Sequence, residues 1–322
     1  MPAFPLPITV NRNCPCNRLE LLKKVLTESL AGRFYLHRLN HWSYREVKEA
    51  FGLTLDEWLF FGGYPGALNY IKDEAFWSAY VRDSLIETVI AKDVLQLENI
   101  NKPTLLRHVF YLAAYYPAEI FSYNKMLGQL TDAGNTTTLA HYISILVLVF
   151  LLSGLEQFKR GDKPKKGSSP KLILWNNALI SSVSLAEYSS TRENPERRGR
   201  LVENAVGAHF LNTIAGLPYA VYYWRKGNWE VDFVVASHQR TIAVEVKSSR
   251  MRKTKGLPRF LETYPSARSL IIGGTGMPLK VLNGARGGAD IPPLIIGGTG
   301  MPLKEFFLTG REELLALIEG EY

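Results

Sequence analysis

Two neighbouring segments constrain this chain more than any other part of it: Trp229–Ala236 (WEVDFVVA) and Thr241–Ser248 (TIAVEVKS). Each alternates apolar and polar residues with the two-residue period of a strand. Val231, Phe233 and Val235 share one face of the first, and Glu230 and Asp232 share the other. In the second, Ile242, Val244 and Val246 oppose Glu245 and Lys247. Ser237–Arg240 reads as a hairpin loop that pairs Ala236 with Thr241. Counting back sets Asp232 opposite Glu245 and Glu230 opposite Lys247. Directly opposed side chains have Cβ atoms roughly 4.5–5.5 Å apart, where two carboxylates repel each other. A divalent cation between them relieves that repulsion, and hard carboxylate oxygens suit Mg²⁺ or Mn²⁺.

A helix is expected upstream, over Leu201–Ile214. Glu203, Val206, Gly207, Phe210 and Ile214 recur at helical spacing, so Glu203 lies on the inward face. A carboxylate turned toward a core needs a partner, and the same metal could supply it. The alternative is an acid placed near a helix N-terminus for the dipole. Two or three carboxylates with a lysine two residues after the last form a phosphodiesterase set: Asp232, Glu245 and Glu203 for the ion, and Lys247 for the attacking water or the charge developing on phosphorus. Arg250, Arg252, Lys253, Lys255 and Arg259 follow without an intervening acid. They read either as phosphate contacts or as a solvated loop.

The rest of the chain falls into three expected parts. Residues 1–18 hold four prolines and show no periodicity, so they read as irregular. A short helix over Leu19–Thr27, a strand over Arg33–Leu39 and helices over Trp42–Phe51 and Thr54–Phe61 follow, with Thr54 and Glu57 forming a capping box. After the Gly62–Gly66 break, helix is expected over Glu74–Gln96. Helices over Leu105–Tyr115, Ser122–Leu130 and from Thr136 or Thr137 to about Leu152, then a strand over Gly154–Phe158, give the order of a winged helix-turn-helix. Its third helix would meet DNA through Asn135, Thr136, Thr137, Thr138 and His141. Lys159, Arg160, Lys163, Lys165 and Lys166 would face phosphates as the wing. A helical bundle used for protein contacts is the alternative. Residues 161–170 (GDKPKKGSSP) read as a linker. Beyond them, Leu201–Ile214, strands Tyr219–Trp224, Trp229–Ala236 and Thr241–Ser248, helix Gly256–Tyr264 and strand Ser269–Ile272 give the order α-β-β-β-α-β.

Composition adds limits. With 322 residues, 46% apolar and 21% charged, the chain is globular and long enough for about two domains. Lys and Arg exceed Asp and Glu by 38 to 30, a formal charge of +8 that suits a polyanion such as DNA. Cys14 and Cys16 form neither a disulfide framework nor a zinc site, so a reducing cytoplasm is expected. Ile143–Leu155 is shorter than the ~20 residues a bilayer needs, so no membrane is expected as a partner. Leu270–Lys280 (LIIGGTGMPLK) recurs unchanged as Leu294–Lys304, which reads as a duplicated strand and turn.

Glu203, Asp232 and the Glu245-Val246-Lys247 triplet, in that order of elements, resemble the restriction-endonuclease-like PD-(D/E)XK nuclease superfamily, with Val231 in place of the proline before Asp232. The stretches SLAGRF (29–34), HWSYREVKEAFG (41–52), FFGGYPGA (60–67), DAGNTTTLAHY (132–142), SSPKL (168–172), GRLVENAVGAH (199–209), YYWRKGNWEVDFVV (222–235) and AVEVKS (243–248) carry a further resemblance. They are similar to a prokaryotic ATP-binding family in which an AAA-type ATPase module precedes a winged helix and a nuclease-like domain of unknown function. The resemblance implies an α/β chain, α+β overall, with three parts. These are an ATPase-lid remnant over 1–79, a winged helix over 80–165 and a nuclease-like domain over 166–322. No Gly-Lys dipeptide is present, so the P-loop is missing and no ATP site or ATP hydrolysis is expected. The chain reads as a fragment or split form. The expected function is a metal-dependent nucleic-acid phosphodiesterase. A catalytically silent DNA- or protein-binding fragment, working with an intact ATPase subunit, is the alternative.

Overall fold

Capping chemistry sets the first helices in the computed structural model, which describes residues 8–10, 36–38, 40–95, 100–130, 134–160, 169–184, 186–247, 256–273 and 301–320. Ser43 accepts the Glu46 N–H and Glu46 returns the bond to the Ser43 N–H, opening α1 (Tyr44–Phe51). Thr54 and Glu57 do the same for α2 (Leu55–Phe61). A short helix, α3 (Pro65–Leu68), follows the glycine break. The next, α4 (Glu74–Ala79), continues with wider i→i+5 bonding over Tyr80–Glu87 and Val89–Val94.

Next comes a helical trio: α5 (Pro103–Tyr115), α6 (Tyr123–Gln129, capped by Ser122) and α7 (Thr136–Leu148, capped by Asn135). Chain direction then reverses at Phe150, whose φ is 56°. Because that left-handed residue stops the helix at Leu148, the expected helix to about Leu152 is shorter. The expected strand Gly154–Phe158 starts earlier, as β3 (Leu152–Leu155). It pairs antiparallel with β4 (Lys171–Leu174), a strand that the sequence reading passed over. The stretch expected as a linker therefore connects two paired strands. Most of it, with Lys163, Lys165 and Lys166, lies outside the described residues.

Two short helices, α8 (Ala178–Ser181) and α9 (Tyr188–Glu193), lead into α10 (Pro195–Thr213). Asn194 accepts the N–H groups of Glu196 and Arg197, and Pro195 occupies the first turn, so α10 begins six residues before the expected Leu201. The main sheet runs β5 (Ala220–Lys226), β6 (Trp229–Ala236), β7 (Thr241–Lys247) and β8 (Arg268–Gly273), antiparallel except for the parallel pair of β7 and β8. The crossover is α11 (Gly256–Thr263). Two helices follow, α12 (Leu303–Leu308) and α13 (Arg311–Glu319), which the sequence reading did not place. The expected irregular start contains β1 (Ile8–Val10), paired parallel with β2 (Leu36–Arg38). The Leu19–Thr27 helix lies outside the described residues, as do Leu294 to Gly300 of the second repeat copy.

The architecture is mixed α+β, with the main sheet sandwiched between two apolar clusters. The larger runs from Tyr44 to Ile318 through all three expected parts and receives Phe233, Val235, Ile242 and Val244 from the sheet. The smaller holds Trp224, Val231, Val234, Ala236 and Ala243 against Leu257 and Phe260 of α11. Val231 is thus on the opposite face from Phe233 and Val235, a correction to the simple alternation. The cause is a β-bulge: Tyr222 pairs with Val234 and Trp224 with Val231, so Asp232 and Phe233 together oppose Tyr223. Among the described residues, no helix is long and apolar enough to cross a membrane.

Candidate active site

The hairpin register follows the sequence expectation where the strands pair: Ala236 with Thr241, Val235 with Ile242, Val234 with Ala243 and Phe233 with Val244. The ladder ends there. At the bulge, β6 turns its backbone away, and Oδ2 of Asp232 accepts the Val246 N–H at 2.7 Å. A side chain therefore replaces the next backbone rung. The expected opposition of Glu230 to Lys247 is replaced as well, because beyond the bulge each residue finds another partner. Glu230 Oε1 lies 3.6 Å from Lys171 Nζ, and Lys247 Nζ donates to Glu245 Oε1 at 2.6 Å.

Alternation along β7 fixes the directions. Ile242 and Val244 enter the larger cluster, Val246 packs against it, and Ala243 enters the smaller. Glu245 and Lys247 follow Ala243 onto the α11 side of the sheet. Lys171 and Glu203 reach Asp232 from the α10 side, so the Asp232 carboxylate stands at the splayed rim between the two groups. The single polar face expected from sequence is in this way divided by the bulge.

Lys171 is the residue that the sequence reading missed. Its side chain is 0% exposed, yet it carries an ammonium. Nζ donates to Glu203 Oε1 at 2.6 Å and to the Asp232 carbonyl at 3.2 Å, and it lies 4.9 Å from the centre of the Phe233 ring. The inward position expected for Glu203 is explained by this ion pair, and Glu203 carries 21% side-chain exposure. Burial pulls the Lys171 ammonium toward deprotonation, but Glu203, Asp232 and Glu230 outweigh it and hold its pKa above the ordinary value.

Burial pushes the Asp232 carboxyl well above the usual carboxylate range, and the charge of Glu203 pushes the same way. Lys171 and the Val246 N–H oppose that shift, while Glu245 adds to it. Burial also raises Glu245, against the pull of Lys247. Oε2 of Glu245 is buried and has no hydrogen-bond partner among the described residues. The cluster holds four carboxylates, Glu203, Glu230, Asp232 and Glu245, against two ammonium groups, Lys171 and Lys247. That leaves two negative charges uncompensated when all six are ionised.

A small divalent cation fits this donor set in two respects. Hard oxygens are present, and one of them, Glu245 Oε2, lacks any partner. Asp232 and Glu245 are the carboxylates that could hold it, since Glu203 is committed to Lys171. Among the described residues, no three carboxylate, histidine or cysteine side chains converge as a metal-holding group.

On the helical trio, Thr137 and His141 are exposed at the start of α7 and Thr136 is half-buried, while Thr138 bonds back to the Asn135 cap. Arg160 bonds Ser266. Arg259 stacks on Trp229 at 5.1 Å and pairs with Glu262 at 2.6 Å. Arg250, Arg252 and Lys253 lie outside the described residues.

Comparison with known proteins gives families rather than activities. Residues 52–190 match a domain of unknown function (DUF8612), and residues 198–284 match a second domain of unknown function (DUF4143). The uncharacterized protein Rv2008c of Mycobacterium tuberculosis and the uncharacterized protein Mb2031c of Mycobacterium bovis are each 27% identical over 224 residues. That alignment covers 69% of this chain and 48% of each relative, so the chain spans about half the length of the curated relatives it matches. The crystal structure of protein VC1899 from Vibrio cholerae is similar over 83% of this chain and 62% of its own, at 13% identity. Its TM-score of 0.25 is too low for a shared fold to follow. The chain thus joins a stretch similar to the first domain of unknown function to one similar to the second, with the junction between residues 190 and 198.

Proposed function

We propose that this chain is a metal-dependent nucleic-acid phosphodiesterase, with Asp232 and Glu245 holding one Mg²⁺ or Mn²⁺ ion. The observation that carries the reading is Glu245 Oε2, a buried carboxylate oxygen without a partner among the described residues, in one cluster with the half-buried Asp232. Leaving such an oxygen unsatisfied costs about 1–3 kcal/mol, which a ligand would recover. A bound divalent ion supplies Lewis-acid polarisation of the phosphate and a water of lowered pKa. Lys247, bonded to Glu245, orients that carboxylate and presents positive charge where charge develops on phosphorus. Asp232 is held in place by the Val246 N–H, so it enters the reaction preorganised. The exposed Thr137 and His141 offer a docking edge for DNA.

Incubating the full chain with plasmid and Mg²⁺ or Mn²⁺ tests this directly, with Lys247→Ala and Asp232→Asn alongside. Cleavage by the parent alone supports the reading, and absence of cleavage with either metal sinks it.

One observation favours a second reading. Lys171 neutralises Glu203 and Lys247 neutralises one oxygen of Glu245 within the chain itself, as in a scaffold that binds without cutting. In that case the basic chain docks nucleic acid, or serves an intact ATPase subunit of the kind that its own family resemblance implies. A salt-dependent gel shift without cleavage distinguishes it.

A further inference from the structure

Lys171 presents a chemical oddity that the phosphodiesterase reading leaves unused. A fully buried lysine is rare unless every donor is engaged. Here the ammonium meets Glu203, the Asp232 carbonyl and Glu230 at 2.6, 3.2 and 3.6 Å, with the Phe233 ring beneath it. Its partners come from α10 and β6, while Lys171 itself starts β4, the strand paired with β3. Three elements therefore converge on one positive charge. A divalent ion placed against Glu203 and the Asp232 carbonyl would meet the same oxygens.

We infer that Lys171 is a resident counter-ion, which takes the place of a cation on the α10 side of the cluster and withdraws Glu203 from any bound metal. This rests on the proposed cation site between Asp232 and Glu245, and it narrows that site to one ion with two protein carboxylates. A lysine suits the task because its compact ammonium supplies three donors but no open coordination position. It also differs from a metal in being covalently part of β4. The α10 edge of the site is thereby held by the same strand that pairs with β3.

Mn²⁺ titration of the full chain by calorimetry, with thermal unfolding in parallel, tests the inference without relying on activity. With Lys171 in place, Glu203→Gln is expected to change the Mn²⁺ dissociation constant by less than about threefold, because Glu203 is not a ligand. Lys171→Met frees Glu203, and Mn²⁺ then binds about tenfold tighter or in a second equivalent, raising Tm by more than in the parent. A tenfold weakening in Glu203→Gln, or unchanged affinity and stoichiometry in folded Lys171→Met, overturns the inference. If the parent takes up no Mn²⁺ but Lys171→Met does, the phosphodiesterase reading falls and the counter-ion role stands. If neither binds, both fall. Should Lys171→Met fail to fold, Lys171→Gln, which keeps a donor for the Asp232 carbonyl, takes its place.

Discussion

Oδ2 of Asp232 accepts the backbone N–H of Val246 at 2.7 Å, at the point where β6 and β7 stop pairing through their backbones. The bond fixes the carboxylate but does not neutralise it, and Glu203 and Glu245 both oppose its charge. Asp232→Asn keeps an oxygen for Val246 and removes the charge. In chelator, at neutral pH, this variant is expected to be more stable than the parent by on the order of 1 kcal/mol. Scanning calorimetry with EDTA checks it, and a lower Tm would show that Lys171 outweighs the repulsion. Addition of Mg²⁺ or Mn²⁺ should then raise the parent's Tm and leave the variant's unchanged.

The helix that carries Glu203 is held against the strand that carries Asp232 at Gly207. A Cβ there would lie 2.8 Å from Phe233 Cε1 and 3.1 Å from Ile173 Cδ1. Gly207→Ala gains up to about 1 kcal/mol of helix propensity but overpacks this contact, which costs about 1–3 kcal/mol. Net destabilisation of about 1 kcal/mol is expected in urea unfolding, with Phe233 pushed away from α10. A stabilised variant would mean that the ring moves aside freely.

The hairpin was legible because two local signals agreed, period-two alternation and a loop length that fixed Ala236 against Thr241. That register alone sets Asp232 and Glu245 on neighbouring strands. The bulge was not legible, because WEVDFVVA alternates without a break and the extra residue is accommodated only against Tyr223 on β5. Lys171 escaped for a different reason. Its strand, KLIL, is four residues long and buried throughout, so it has no amphipathic pattern to read. Its partners lie 32 and 61 residues away in sequence. The SSPKL stretch marked the position without revealing its task. Phe306, Phe307, Leu314 and Ile318 are buried in α12 and α13, two short helices at and beyond the end of the repeated LIIGGTGMPLK segment that carry too few turns for a clear period.

Asn204 completes the backbone of β4 from one side. Its amide accepts the Leu174 N–H at 2.9 Å and donates to the Leu174 carbonyl at 2.9 Å, while Nδ2 also meets Asn177 Oδ1 at 3.0 Å. The side chain is fully buried on α10, so it acts as a substitute strand rung. Asn204→Leu leaves both Leu174 groups without partners and is expected to cost about 2–4 kcal/mol. Asn204→Asp keeps the acceptor and loses the donor. Urea unfolding should rank the parent above both, and hydrogen exchange at Leu174 should accelerate. Unchanged exchange in Asn204→Leu would refute the rung assignment.

His209 gives the chain a calculable acid response. It is buried on α10 with Nε2 3.3 Å from Thr309 Oγ1, and its ring meets Phe306 and Phe307 edge-on at 4.9 and 5.8 Å. Thr309 donates its hydroxyl to the Phe306 carbonyl, so it accepts from His209, which assigns the proton to Nε2. Burial lowers the His209 pKa to about 4. The unfolded chain takes up a proton near pH 6.5, whereas the native one resists until about 4. Stability is therefore lost as pH falls from about 6.5 to about 4, with no further loss from this group below that. The interval is worth about 3 kcal/mol. His209→Gln keeps a donor for Thr309 and cannot titrate, so it costs stability at pH 7 but removes this response. The stability gap between parent and variant, from urea unfolding at pH 7, 5.5 and 4, should narrow by up to about 3 kcal/mol as pH falls. A gap that stays constant would mean that His209 protonates as easily in the folded chain as in the unfolded one, and that its apolar cage of Phe306 and Phe307 opens in acid.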